Sequence, residues 1–302
     1  MRVLFCSEAP PAEQAVWLEA LAAALPEACW VDLAGARAQP QGLRVAVVAR
    51  PPERSLAGLP ELRFVQSLWA GVDSLLADPT VPPQLVLARM VDPVMTAAMV
   101  ETVVWAVIGA HRGFFAYARR QSQGLWQPHG QRRADEVPVL VLGQGELGTA
   151  ASERLRALGY PVIGWRRRDG QAALAASLPA CRVLVNLLPL TPSTEGLLNA
   201  ALFAALPHGA SVINLARGAH VVDAELLAAL DAGHLRHAVL DVFRTEPLPG
   251  GHPYWQHPKV TVLPHAAAQT DPRSAAAVAA DNIRRWWRGE VPRFQVDRQQ
   301  GY

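Results

Sequence analysis

"VLVLGQGELG", residues 139–148, decides how the chain is read. Val139–Leu142 is an apolar, β-branched run suited to a buried strand, and helical spacing begins at Glu146. Between and beyond them Gly143, Gly145 and Gly148 form G-x-G-x-x-G in the one context that gives that pattern meaning, the turn between a strand and a helix. Gly143 suits a tight turn, Gly145 lets backbone approach a pyrophosphate, and Gly148 lets helix and strand pack closely. Glu146 and Leu147 fall in the first helical turn, where the N-terminus attracts the pyrophosphate. The next strand, "PVIGW" (161–165), ends where an acidic residue would take the ribose 2′-hydroxyl. Trp165 is followed instead by Arg166, Arg167 and Arg168, with Asp169 behind them. Guanidinium groups at that point suit a 2′-phosphate, so NADPH is expected, with NADH weaker. The plainer reading of the run is a solvated basic loop.

The same alternation extends in both directions. Strands are expected at 2–7, 44–49, 63–68 and 85–88, then at 138–143, 161–165, 182–188, 211–215, 237–242 and 259–264. Helices are expected at 12–25, 71–77, 95–119, 146–158, 200–206, 223–231 and 271–287. This pattern predicts an α/β protein with two doubly wound parallel-sheet domains. The polar segment 121–136 reads as a loop or arm too long for a tight connection, and its Trp126 could anchor a partner subunit or pack on the surface.

Composition bounds the function. A length of 302 residues suggests two domains. With 51% hydrophobic and 18% charged residues the chain is expected to be globular. A net charge of +2 gives no reason to expect nucleic acid or a membrane surface as partner. The three cysteines, Cys6, Cys29 and Cys181, have no paired spacing, which suggests reduced thiols; no metal site is expected. The opening "MRVLFCSEAP" does not read as a signal peptide, and the apolar stretch 96–110, which contains Glu101, reads as short of a membrane span. The protein is expected in the cytoplasm.

Three polar residues stand near the ends of later strands, where open α/β sheets bind ligands. Arg217 follows strand 211–215 in "SVINLARGAH", Glu246 lies in "LDVFRTEPL", and His265 follows "KVTVLP". Each alone is weak evidence, and a solitary His at a strand end is more often structural than catalytic. Together, behind a dinucleotide motif, they suit reduction of a 2-oxo acid, which needs a cation for the substrate oxygens, a proton donor and a hydride source. Arg217 would bind the oxygens with its forked guanidinium, His265 would supply the proton, and Glu246 would orient the imidazole and favour its charged form.

At this point the sequence resembles the D-2-hydroxyacid dehydrogenase family, and within it the bacterial glyoxylate/hydroxypyruvate reductases. "AGVDSLL" (70–76), "CRVLVNLLPLTPSTEGLLN" (181–199), "NLARG" (214–218), "LDVFRTEPLP" (240–249), "WQHPKVTVLPHAAA" (255–268) and "QVDRQQGY" (295–302) carry the resemblance in order along the whole chain. It implies a Rossmann NADP-binding domain at 98–268, inserted in a flavodoxin-like substrate domain formed by 1–97 and the returning segment 269–302. It implies a homodimer, and substrates such as glyoxylate and hydroxypyruvate. The family's catalytic Arg, Glu and His fall on Arg217, Glu246 and His265, its substrate-carboxylate loop on Ala70 and Gly71, and further cofactor contacts on Leu188, Pro189, Leu215 and Asp241. Two positions depart from the subgroup: Arg166 stands where a small hydroxyl residue is usual, and Pro93–Val94 where a glycine-containing segment is usual. A reductase of bulkier 2-oxo acids, a formate dehydrogenase-like enzyme (against which Glu246 argues) and a non-catalytic dinucleotide-sensing protein of the same fold are the alternatives.

Overall fold

The apolar runs build two separate parallel sheets. The computed structural model describes residues 1–301, and the chain divides into two compact units, 1–95 with 270–302, and 96–269. In the first unit the elements are β1 (Arg2–Ser7), α1 (Pro11–Ala24), β2 (Cys29–Val31), α2 (Leu33–Ala38), β3 (Val45–Ala49), β4 (Phe64–Ser67), α3 (Asp73–Ala77) and β5 (Val86–Ala88). The strands lie in the order β2-β1-β3-β4-β5, all parallel. This is the flavodoxin-like order, whose switch point falls between β1 and β3.

Helix α4 (Pro93–Arg112) carries the chain into the second unit. Pro93 has no N–H to leave unsatisfied at the first helical position, and the Asp92 carboxylate accepts the Val94 N–H at 3.0 Å. Then come α5 (Phe114–Ser122), β6 (Val139–Leu142), α6 (Glu146–Ala157), β7 (Val162–Trp165), α7 (Gly170–Ser177), β8 (Val183–Asn186), α8 (Ala200–Ala205), β9 (Ala210–Asn214), α9 (Asp223–Asp231), β10 (Leu235–Leu240) and β11 (Val260–Val262). Their order is β11-β10-β9-β8-β6-β7, again all parallel, with the switch point between β6 and β8. The last helix, α10 (Pro272–Trp287), belongs to the first unit and lays Ala275, Ala276, Ala279, Ala280 and Ile283 into its core. Strands β3, β6, β8 and β9 are buried at every residue, as sheets covered on both faces require.

The helix expected from 95 to 119 is two helices. Gly113 stands between them with φ +73°, and a Cβ there would lie 2.3 Å from the His129 ring. A left-handed residue ends one helix, and the close approach of the ring admits only glycine. Helix α4 also corrects the membrane reading: at 20 residues with mean hydropathy 1.6 it is long and apolar enough to span a bilayer. Its Val103, Ala106, Val107 and Ala110 are instead packed in the core of the second unit, with Val139, Val141 and Leu155.

Candidate active site

The β6–α6 turn has the form that its glycines allow. Gly143 has φ +92°, and a Cβ on it would meet the Leu187 carbonyl oxygen at 2.7 Å. A Cβ on Gly148 would lie 1.7 Å from the Gly143 oxygen, so helix and turn touch backbone to backbone. Gly145, which caps α6, has open space where its Cβ would be. Two glycines are thus demanded by packing within the protein. The third faces an opening at a helix N-terminus, a cradle that fits a pyrophosphate. Glu146 and Leu147 form the first turn of α6.

At the end of β7 the Trp165 ring is buried and its indole N–H donates to the Gly170 carbonyl at 3.0 Å. The three arginines after it are exposed. Arg166 Nε donates to the Gln144 carbonyl of the glycine turn at 3.4 Å, and Arg167 Nη1 reaches Thr191 Oγ1 and Ser193 Oγ at 3.5 and 3.4 Å. The Asp169 carboxylate is turned back to accept the Arg166 N–H at 2.7 Å, so the run's one acidic side chain caps a turn. Thr191 and Ser193 were not singled out in the sequence; their hydroxyls follow Leu188 and Pro189 after β8, close enough in sequence to be sought once those two were named.

The three candidate catalytic residues all lie in the second unit. Arg217 follows β9, half-buried, with Nη1 donating to the Ala216 carbonyl at 2.7 Å. Gly218 answers why glycine follows it: a Cβ there would lie 1.9 Å from the Phe243 carbonyl carbon. Glu246 and His265 are brought together, with Glu246 Oε2 2.7 Å from His265 Nδ1. An ionised carboxylate only accepts, so Nδ1 carries a proton and Nε2 is the free end of the ring. The other oxygen, Oε1, accepts the Phe243 N–H at 2.9 Å. Partial burial pushes the Glu246 carboxyl up. The hydrogen bonds from His265 and Phe243, and the charges of His265 and Arg217, outweigh it and hold the group below the usual carboxylate range.

His265 itself has φ +53°, a left-handed backbone. One residue holds it there. The Asp241 carbonyl accepts the His265 N–H at 2.9 Å, and its carboxylate accepts the N–H groups of Ala266 and Ala267 at 2.7 and 3.1 Å. Burial is the largest influence on Asp241 and raises its pKa, against those two N–H groups. Beside this loop a cavity of about 330 Å³ is lined by Glu101, Thr102, Trp105, Leu263, Ala266 and Ala267. Leu188 and Leu215 are buried at the ends of β8 and β9. Ala70 and Gly71 follow β4 in the first unit, just before α3. Among the described residues no group of His, Cys, Asp and Glu could hold a metal ion.

Residues 104–267, more than half of the chain, match the model of the D-isomer specific 2-hydroxyacid dehydrogenase NAD-binding domain. The chain belongs to the D-isomer specific 2-hydroxyacid dehydrogenase family. Solved structures of this family resemble it from end to end. A D-isomer specific 2-hydroxyacid dehydrogenase from Xanthobacter autotrophicus Py2, in complex with NADPH and MES, is 37% identical over 100% of this chain and 99% of that one, with a TM-score of 0.92. An NADPH-dependent glyoxylate/hydroxypyruvate reductase from Sinorhizobium meliloti, in complex with NADP and sulfate, is 35% identical with the same coverage and TM-score. A probable 2-hydroxyacid dehydrogenase from Rhizobium etli CFN 42, in complex with NADP, HEPES and L(+)-tartaric acid, is 30% identical over 100% and 99%, with a TM-score of 0.91. This 2-hydroxyacid dehydrogenase is therefore an NAD(P)-dependent oxidoreductase.

Proposed function

We propose that the enzyme reduces a small 2-oxo acid, glyoxylate or hydroxypyruvate, to the 2-hydroxy acid (glycolate or D-glycerate) with NADPH. The observation that carries the chemistry is the 2.7 Å Glu246–His265 pair on the unit that bears Arg217 and the glycine cradle. The similarity to the Sinorhizobium meliloti reductase supports the choice of substrate.

In this reading Gly143, Gly145, Glu146, Leu147 and Gly148 hold the pyrophosphate, with Leu188, Pro189, Leu215 and Asp241 toward the nicotinamide, which when bound supplies the hydride. Trp165 anchors the run Arg166–Arg168. Arg166 is the first choice for the 2′-phosphate. Arg167, with Thr191 and Ser193, is the second. Arg217 binds the carboxylate and polarises the carbonyl of the substrate, drawing charge onto the oxygen that will become the hydroxyl. His265, charged, gives a proton from Nε2 to that oxygen, and Glu246 holds the ring by Nδ1 throughout. Ala70 and Gly71 lie in the first unit, the substrate domain, and their backbone N–H groups are the ones that the family resemblance assigns to carboxylate binding. The balance is one 2-oxo acid, one NADPH and one proton consumed, one 2-hydroxy acid and one NADP⁺ formed. The enzyme works in the cytoplasm as a homodimer. Trp126, 96% exposed on the arm that Arg120 and Gln131 fasten by hydrogen bonds, suits a face covered by a second copy.

Rates with glyoxylate, hydroxypyruvate, pyruvate and a branched 2-oxo acid, each with NADPH and NADH, test the proposal. We expect the highest kcat/KM for the first two acids with NADPH; a preference for the branched acid overturns the substrate assignment.

A further inference from the structure

At the carboxyl ends of β8 and β9 two asparagines stand side by side. Asn186 and Asn214 are register partners on adjacent strands, and both are fully buried. A third polar side chain, His220, equally buried, closes a network with them. The Asn186 amide Nδ2 donates to Asn214 Oδ1 and to His220 Nδ1, each at 3.0 Å. Asn186 Oδ1 accepts the Leu188 N–H at 3.2 Å. Asn214 Oδ1 also accepts the Ala216 N–H at 3.3 Å, and Asn214 Nδ2 donates to the Arg217 carbonyl at 2.9 Å. His220 Nε2 lies 3.3 Å from the Pro189 carbonyl. A carbonyl can only accept, so Nε2 carries the proton and Nδ1 is left to accept from Asn186. Both protons of the Asn186 amide and the one on His220 Nε2 meet acceptors, and the Asn214 amide donates to the Arg217 carbonyl.

The network ends on two functional segments. On one side it holds the N–H of Leu188 and the carbonyl of Pro189, which follow β8 at the cofactor crevice. On the other it grips the peptide units on both sides of the Ala216–Arg217 bond. The Arg217 carbonyl also accepts the His220 N–H at 3.3 Å, so it is bonded twice. A buried polar group costs most when its partner is removed. The Asn214 side chain bonds the turn itself, Asn186 holds Asn214, and the His220 ring ties Asn186 to the Pro189 carbonyl, so a satisfied buried network fixes the turn relative to that segment.

We propose that Asn186, Asn214 and His220 are positioning residues for Arg217, setting the turn that carries its guanidinium in a fixed place relative to the Leu188–Pro189 segment. The proposal rests on the catalytic reading of Arg217 given above.

Asn214→Asp tests it with the least change of shape. The second carboxylate oxygen replaces the amide nitrogen and faces the Arg217 carbonyl, acceptor against acceptor. We expect kcat/KM for the 2-oxo acid to fall about 10- to 100-fold, the scale of a misplaced catalytic group. The loss should fall on both kcat and KM, while the NADPH dissociation constant, read from NADPH fluorescence, stays within about threefold. In an Arg217→Ala background the same substitution should change kcat/KM by less than about twofold, because a residue acting through Arg217 has nothing left to act on. An equal loss in both backgrounds, or no loss in either, overturns the proposal. If Asn214→Asp does not fold, His220→Gln, which keeps an N–H for Pro189, is put through the same cycle and should show the same non-additivity. An Arg217→Ala enzyme with full activity would remove the catalytic reading first, and the positioning role with it.

Discussion

The two units begin alike and end differently. In each, the first strand joins its helix through three residues: Glu8–Ala9–Pro10 between β1 and α1, Gly143–Gln144–Gly145 between β6 and α6. Each strand also stands at its sheet's switch point. In the first unit the connection satisfies itself. The Ala9 N–H donates to Ser7 Oγ at 3.0 Å, and the Gln14 amide donates to the carbonyls of Ser7 and Ala9 at 3.3 and 2.7 Å. Pro10 and Pro11 bring no N–H at all. In the second unit the glycine turn leaves the helix N-terminus clear. One topology thus gives a plugged turn and an open cradle, and at these turns the difference follows from the three connecting residues and their neighbours.

If the chemistry belongs to the open unit, the largest effect is expected there. His265→Ala should lower kcat for 2-oxo acid reduction by roughly 10²–10⁴-fold while NADPH still binds; steady-state rates with a parallel fluorescence titration check it. Next come the arginines. A charge-assisted hydrogen bond contributes about 1.5–3 kcal/mol, so Arg166→Ala or Arg167→Ala should weaken NADPH by roughly 10- to 150-fold. NADH, without the 2′-phosphate, should be nearly unaffected. Equal losses for both cofactors across all three arginine variants, or none, would make the run a solvated loop.

The cradle itself is sharpened by Gly148→Ala. Overpacking costs about 1–3 kcal/mol, and here the added carbon meets backbone, so both NADPH affinity and the melting temperature should drop. An unchanged affinity would mean that the turn is less constrained than its geometry states.

The smallest effect is a displacement along the pH axis. Glu246 is held below the usual carboxylate range, so the stability it contributes is fully present above that range and is lost as pH falls through its lowered value. Glu246→Gln should abolish that acid dependence in urea midpoints taken across pH. Urea midpoints of the variant that still follow those of the parent through the acid range would show that the pair contributes nothing to stability.

Much of the fold is legible in the sequence. The buried strands announced themselves as apolar β-branched runs, because a parallel sheet covered on both faces leaves no polar alternation. The elements missed were short or mixed. β2 has three residues, Cys29–Val31, none of them buried, and α7 is eight residues, half of them alanine, with little amphipathic contrast. Arg217, Glu246 and His265 were visible because charged and titratable groups stand near strand ends. Asn186 and Asn214 also close apolar strands, but their meaning depends on β8 and β9 being neighbours, and strand order is not written locally. His220 could be placed only once its ring was seen to face Pro189.

The left-handed backbone at His265 has a consequence for anyone building a library at this position. Replacements there are filtered twice, once by the reaction and once by the main chain. β-Branched residues would be rejected for shape before chemistry is ever sampled, whereas asparagine tolerates that conformation. His265→Asn is thus the natural choice for a variant that keeps its loop, and on the role proposed above for His265 it turns over slowly enough to hold substrate and cofactor side by side for crystallisation.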